Sequence, residues 1–145
     1  MKNKFEVLIF ALILSLLAGC TSLGHESRTK PQIALDFPNK PNKVSLEGSG
    51  ELMVATELML VSRGINVVPS PVQIDSDTGK KNIATRYAIT ATSTDFDVCV
   101  PEGSRQMNFT ILVNDLQENQ RLFFMNGNYG CKDTIVSRLE EWFFK

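Results

Sequence analysis

The sequence is short of the groups from which most catalytic and metal sites are built. It has one histidine, His25, and no CxxC pair, no GxSxG elbow and no HExxH helix. A zinc site therefore lacks its ligand set, and no nucleophile–base pair is evident. Charge is balanced: 15 Lys and Arg stand against 16 Asp and Glu, a net charge of −1. Without clustered Lys and Arg, the electrostatic footprint of a nucleic-acid binder is missing. Nor is the chain acidic enough to read as a disordered tail. These absences lead us to expect no catalytic residue, no metal, no cofactor and no nucleic-acid partner. Beyond the first 20 residues, no stretch is long and apolar enough to span a bilayer.

What is present starts with Met1–Lys4, a short basic segment, and Phe5–Leu17, an apolar run interrupted by Glu6 and Ser15. The run is shorter than the roughly 20 residues a transmembrane helix needs and suits the apolar region of a signal peptide. It ends in Leu17-Ala18-Gly19-Cys20. These four residues resemble the lipobox of bacterial lipoproteins, which carry a type II signal peptide. The resemblance implies cleavage before Cys20 and acylation of that cysteine, with palmitate among the usual chains. The residue after Cys20 is Thr21 and not Asp. By the same resemblance, that implies the outer membrane, with the protein facing the periplasm. Two or more acyl chains hold a protein stably, at about 0.8 kcal/mol per buried CH₂. The expected organisation is a signal peptide at 1–19, a lipidated tether at 20–42 and an α+β domain at 43–145. Losing Lys2, Lys4 and Glu6 with the signal peptide moves the net charge from −1 to −2. What remains is long enough for one core.

The other two cysteines, Cys99 and Cys131, form an even pair. In an oxidising compartment such a pair is more often a disulfide than a metal site or reactive thiol. The tether holds Gly24, Ser27, Pro31, Pro38 and Pro41, which disfavour regular structure. Stretched out at about 3.1 Å per residue, it would reach roughly 60–70 Å. His25 reads as a solvated tether residue. Ile33, Leu35 and Phe37 alternate, as a short edge strand or a docking patch would.

The domain opens with a brief strand at Lys43–Leu46. Ser49 is a candidate cap for a helix over Glu51–Arg63. Leu52, Ala55, Met59 and Ser62 form one stripe with Leu58 beside it. Met53, Val54, Leu60 and Val61 widen the apolar surface, which predicts a helix well buried against a sheet. Gly64 suits the left-handed position past a helix end, and Ile65 the apolar contact that follows. With Ile65–Val68 as a strand, the unit reads as βαβ. Pro69 and Pro71 forbid a central strand, so the segment up to Arg86 reads as a surface loop or a short hairpin arm. Its Asp75-Ser76-Asp77-Thr78-Gly79 run lacks the full pattern and the distal Glu of a calcium loop.

Three strands follow. Tyr87–Val100 places Tyr87, Ile89 and Ala91 on one face, then Phe96, Val98 and Val100 on the other. That parity switch requires a bulge or break near Thr92–Asp95. Met107, Phe109, Ile111 and Val113 alternate in the second strand. Leu122-Phe123-Phe124-Met125, in the third, suggests cover on both faces. In a meander the outer strands lie roughly 9–10 Å apart, beyond disulfide reach, so joining Cys99 to Cys131 requires the chain to curl inward. A last helix is expected at Thr134–Phe144, capped by Asp133, with Ile135, Leu139, Trp142 and Phe143 as its apolar stripe. The expected fold is thus α+β: two helices on a mostly antiparallel sheet of four to five strands.

The order of elements, carried by Val54–Val68 and Tyr87–Leu122, resembles an envelope domain found in several settings. It occurs in curli-secretion lipoproteins, in lipoprotein activators of penicillin-binding proteins and in the amino-terminal domain of the Tol translocation protein. The resemblance implies a non-catalytic accessory that binds an envelope protein or assembles with copies of itself. An alternative is a lipoprotein that binds a small molecule or lipid beside an envelope transporter. An envelope hydrolase using Asp95 and Asp97 is a remote third. An exposed apolar patch would favour the first, a deep apolar pocket the second, and convergent acidic groups the third.

Overall fold

The computed structural model describes residues 29–74, 81–100 and 103–145. The lipobox, His25 and the Asp75–Gly79 run lie outside them. The strands are β1 (Ile33–Ala34), β2 (Lys43–Ser49), β3 (Asn66–Val68), β4 (Val72–Ile74), β5 (Lys81–Ile83), β6 (Tyr87–Val98), β7 (Arg105–Asp115) and β8 (Gln120–Cys131). The helices are α1 (Glu51–Ser62) and α2 (Lys132–Phe143). Six strands form one sheet in the order β1-β8-β7-β6-β2-β3, and β4 pairs with β5 as a separate hairpin. The fold is the expected small α+β domain, with one strand more in its sheet. That strand is β1, whose two residues pair antiparallel with Phe123 and Phe124.

The β6-β7-β8 meander is antiparallel, while β2 runs parallel to both its neighbours, β3 and β6. A parallel β2–β3 pair joined through α1 is the βαβ unit read from the sequence. Gly64 ends α1, with φ +80°. The Ile65 N–H donates to Leu60 O and the Gly64 N–H to Val61 O, both at 3.0 Å, which is a Schellman closure. The start of α1 differs from expectation. Ser49 does not cap it; Gly50 holds the cap position without a side-chain bond. The Leu52 N–H donates instead to Ser93 Oγ on β6, at 3.2 Å. The orphan donor is satisfied across the sheet, which spacing along the chain cannot reveal. Close contact is the reason for glycine at 48: a Cβ there would sit 1.7 Å from Ala91 O. At α2, the cap residue is Cys131, with no side-chain cap bond; Asp133 lies in the first turn. Its carboxylate favours that helix end through the dipole.

The core lies on one face of the sheet, beneath both helices. Val44, Ile89, Ala91, Ile111, Val113 and Met125 from the strands meet Leu52, Leu60, Ile135 and Leu139. The segment expected as tether is folded onto this core from Thr29 on. Phe37 packs against Tyr87, Trp142 and Phe143 at centroid distances of 5.0, 4.7 and 5.0 Å. The Gln32 N–H donates to Phe124 O and the Leu35 N–H to Leu122 O, both at 2.8 Å. Leu35 O accepts from Trp142 Nε1 at 3.0 Å, and Asn39 O from the Tyr87 hydroxyl at 2.9 Å. Trp142 and Phe143 are therefore packing residues, and what covers them comes from earlier in the chain.

At the opposite end of the strands from the disulfide, Asp115 is fully buried and Arg86 covers it, with Arg86 Nε 2.9 Å from Asp115 Oδ2. Asp115 Oδ1 also accepts the Gln117 and Glu118 N–H groups at 3.0 and 3.3 Å. One carboxylate thus fixes both the turn after β7 and the start of β6.

Candidate functional site

Alternation along the strands gives the sheet a second face, away from the helices. Here the register lines up polar side chains. Ser49 of β2 stands beside Thr92 of β6, Thr92 beside Thr110 of β7, and Thr110 beside Asn126 of β8. Thr94 and Asn108 pair in the next row. These residues, with Asn128, line an open groove of about 500 Å³. No side chain lining it is charged. Gln32, just before β1, orients one wall: its Nε2 donates to Asn126 Oδ1 at 2.9 Å and its Oε1 accepts the Asn126 N–H at 3.2 Å.

Two bulges follow the Thr94 and Asn128 end of this groove. On β6, Asp95 pairs with Met107 and Asp97 with Gln106, so Phe96 is the extra residue. On β8, Gly127 pairs with Phe109 and Gly130 with Met107, so Asn128 and Tyr129 together face Asn108. A bulge bends its strand and re-aims a side chain. Here both bulges flank β7, and the rings of Phe96 and Tyr129 meet edge to face at 5.0 Å. Both rings remain about half exposed, at 46% and 50%. Tyr129 adopts φ +63°, an outlier for a bulky side chain, and such outliers cluster at functional sites. The parity switch after Ala91 signalled the β6 bulge. Asn126-Gly127-Asn128, a run of turn-forming residues, stands where the second begins. Neither signal placed the two rings together.

The same bulges bend the outer strands toward each other past this point. Cys99 and Cys131 are joined, with Cα atoms 5.8 Å apart. The Cys99 N–H donates to Ser104 O at 2.7 Å and Cys99 O accepts the Gly103 N–H at 2.7 Å. The β6–β7 turn is thus the curl that a flat meander lacks. Asp95 and Asp97 do not converge on a site. Asp97 is exposed, and its Oδ1 accepts the adjacent Val98 N–H at 2.8 Å. Among the described residues, no three His, Cys, Asp or Glu side chains cluster to hold a metal.

A second surface lies on α1. The helix, expected to be well buried against the sheet, is buried on one side only. Leu52, Thr56, Met59 and Leu60 face the core, while Val54, Leu58 and Val61 are 52, 66 and 55% exposed. Spaced by four and three residues, these three share one stripe. Apolar residues all round the helix hid this in the sequence, because nothing there marks which apolar side the sheet covers. Lys132 and Arg105 bracket Glu51 at the start of the helix, at 3.3 and 3.7 Å. Among the described residues no helix is long and apolar enough to cross a membrane.

No family model matches the chain, and a search of curated proteins gives no match. Among solved structures, it is similar to two of the PelC dodecamer from Paraburkholderia phytofirmans, one of them a point variant. Each is 11% identical with a TM-score of 0.42, over 77% of this chain and 90 or 91% of that one. A likeness this distant carries no argument about function.

Proposed function

We propose that the chain is a bacterial lipoprotein whose domain is a non-catalytic binding or assembly module of the cell envelope. In this reading residues 1–19 are the signal peptide, Cys20 is acylated, and Thr21 directs the protein to the outer membrane, facing the periplasm. The Cys99–Cys131 bond supports an oxidising compartment. The segment packed onto the core from Thr29 shortens the leash. Thr29 lies nine positions after Cys20, a span of about 28 Å at about 3.1 Å per residue. The domain then works close to the membrane, well inside the radius a free tether to Asn42 would allow.

The observation that carries the binding role is the stripe of Val54, Leu58 and Val61. Exposed apolar side chains ranked along one helix face mark an interaction surface. Site-specific photo-crosslinking in intact cells tests it. A probe at Leu58 should give a discrete adduct, at twice the chain's mass if the partner is a second copy. A probe at Glu141, on the outer side of α2, should give none. Absence of an adduct at 58, or equal yield at 141, refutes the role of this surface.

A second reading, a small-molecule accessory to a transporter, is supported by the groove on the other face. Its lining of hydroxyls and amides does not suit the lipid considered from the sequence.

A further inference from the structure

We propose that the groove across β2, β6, β7 and β8 binds a short stretch of neutral glycan, which runs past Thr94 and Asn128 onto the rings of Phe96 and Tyr129. Its volume of about 500 Å³ lies within the usual range for ligand sites. The lining narrows the ligand by its chemistry. Ser and Thr hydroxyls and Asn amides can each donate and accept, and so can sugar hydroxyls. A row of Ser49, Thr92, Thr110 and Asn126 across four strands therefore pairs with a polyhydroxylated chain in more than one register. A charged ligand would lose its hydration with no opposite charge among the lining side chains to offset the cost. An apolar ligand would bury these hydroxyls and amides without partners. An extended peptide adds to a sheet at its edge, and the edges here are β1 and β3, whereas the groove lies on the face.

The ring pair beyond the groove supplies what hydroxyls cannot. Phe96 and Tyr129 present half-exposed rings to the apolar C–H face of a sugar ring. They stand there because each occupies a bulge, and Tyr129 holds its strained φ of +63°. Such strain persists only where the surrounding structure over-determines it, and here the disulfide two residues on restrains the strand end. The groove lies on the sheet face opposite α1, so this inference and the role of the α1 stripe stand or fall separately.

Isothermal titration calorimetry on the full-length protein, held in a detergent without sugar groups, tests the inference. The probes are neutral trisaccharides of N-acetylglucosamine, glucose and maltose type, an oligogalacturonate and a deacetylated glucosamine oligomer. We expect saturable binding of at least one neutral probe, with a Kd tighter than about 1 mM. The anionic and cationic oligomers should bind at least about tenfold more weakly, a gap of about 1.4 kcal/mol. Phe96→Ala and Tyr129→Gly should each weaken binding roughly three- to tenfold. Thr92→Val should do so too, while Glu141→Gln, at an exposed position on α2, leaves affinity unchanged. Tyr129→Gly relieves the backbone, so this variant keeps the test readable if another fails to fold. No neutral probe binding, charged oligomers binding as tightly, or wild-type affinity in folded, disulfide-intact ring variants would each overturn the inference.

Discussion

Phe37→Ala is the perturbation that separates a free tether from a folded one. Phe37 contacts three rings at 5.0 Å or less, and it sits between the Leu35 and Asn39 carbonyls that Trp142 and Tyr87 bond. Removing a fully buried Phe costs about 3–5 kcal/mol. Phe37 is only partly buried, so we expect about 2–3 kcal/mol, including its aromatic contacts. The loss should be local first. The strand β1 contributes two residues to the sheet edge and has little else to hold it. Amide exchange on the oxidised protein reads this directly. Protection of the Gln32 and Leu35 N–H groups should fall roughly thirty- to 150-fold, following the free-energy change. Protection of Ile111, in the middle of the sheet, should fall by less. If the leash then runs to Asn42, its span rises from about 28 to about 68 Å. Leu35 protection that matches the wild type, with stability within about 0.5 kcal/mol, would refute the anchoring role of Phe37.

Two further outcomes follow from buried or cross-linked groups. The Arg86 guanidinium, bonded to Asp115, holds that carboxyl below the usual carboxylate range, against the opposing effect of burial. A depressed value means its stabilisation is complete at neutral pH and is lost as pH falls through the folded value, below about pH 4. Asp115→Asn should therefore lower stability at pH 7, by about 1–3 kcal/mol, and flatten the acid limb of a denaturation series from pH 5 to 2. An unchanged acid limb would show that Asp115 does not couple folding to protons. The Cys99–Cys131 bond closes a separation of 32 residues, worth about 3–4 kcal/mol on the chain-entropy account. The Cys99→Ser/Cys131→Ser double variant should lose about that much in urea, and reductant should destabilise the wild type but not the variant. Thiol labelling that finds two free cysteines in the native protein would contradict the bond itself.

Much of the fold was legible because local pattern and tertiary role agree. Met107, Phe109, Ile111 and Val113 alternate and are buried in that order. Gly64 ends α1 as its neighbours dictate. Legibility failed where a partner comes from across the sheet. The donor at the start of α1 goes to Ser93, 41 residues away in sequence. The rings of Phe96 and Tyr129 meet only because two strands bulge on either side of β7. Ile33, Leu35 and Phe37 showed their alternation, but the rings that receive Phe37 include two near the far end of the sequence. The polar groove was the least visible feature. Single Ser, Thr and Asn residues on alternate strand positions read as ordinary solvated faces, and only the register reveals that they form one row.

Under our proposal, Cys20 carries acyl chains and holds this domain at a membrane. Labelled palmitate fed to cells expressing the wild type and Cys20→Ala tests it most directly. We expect label and membrane fractionation for the wild type, and loss of both in the variant. A wild type that takes up no label, with a variant that still fractionates with membranes, would contradict it.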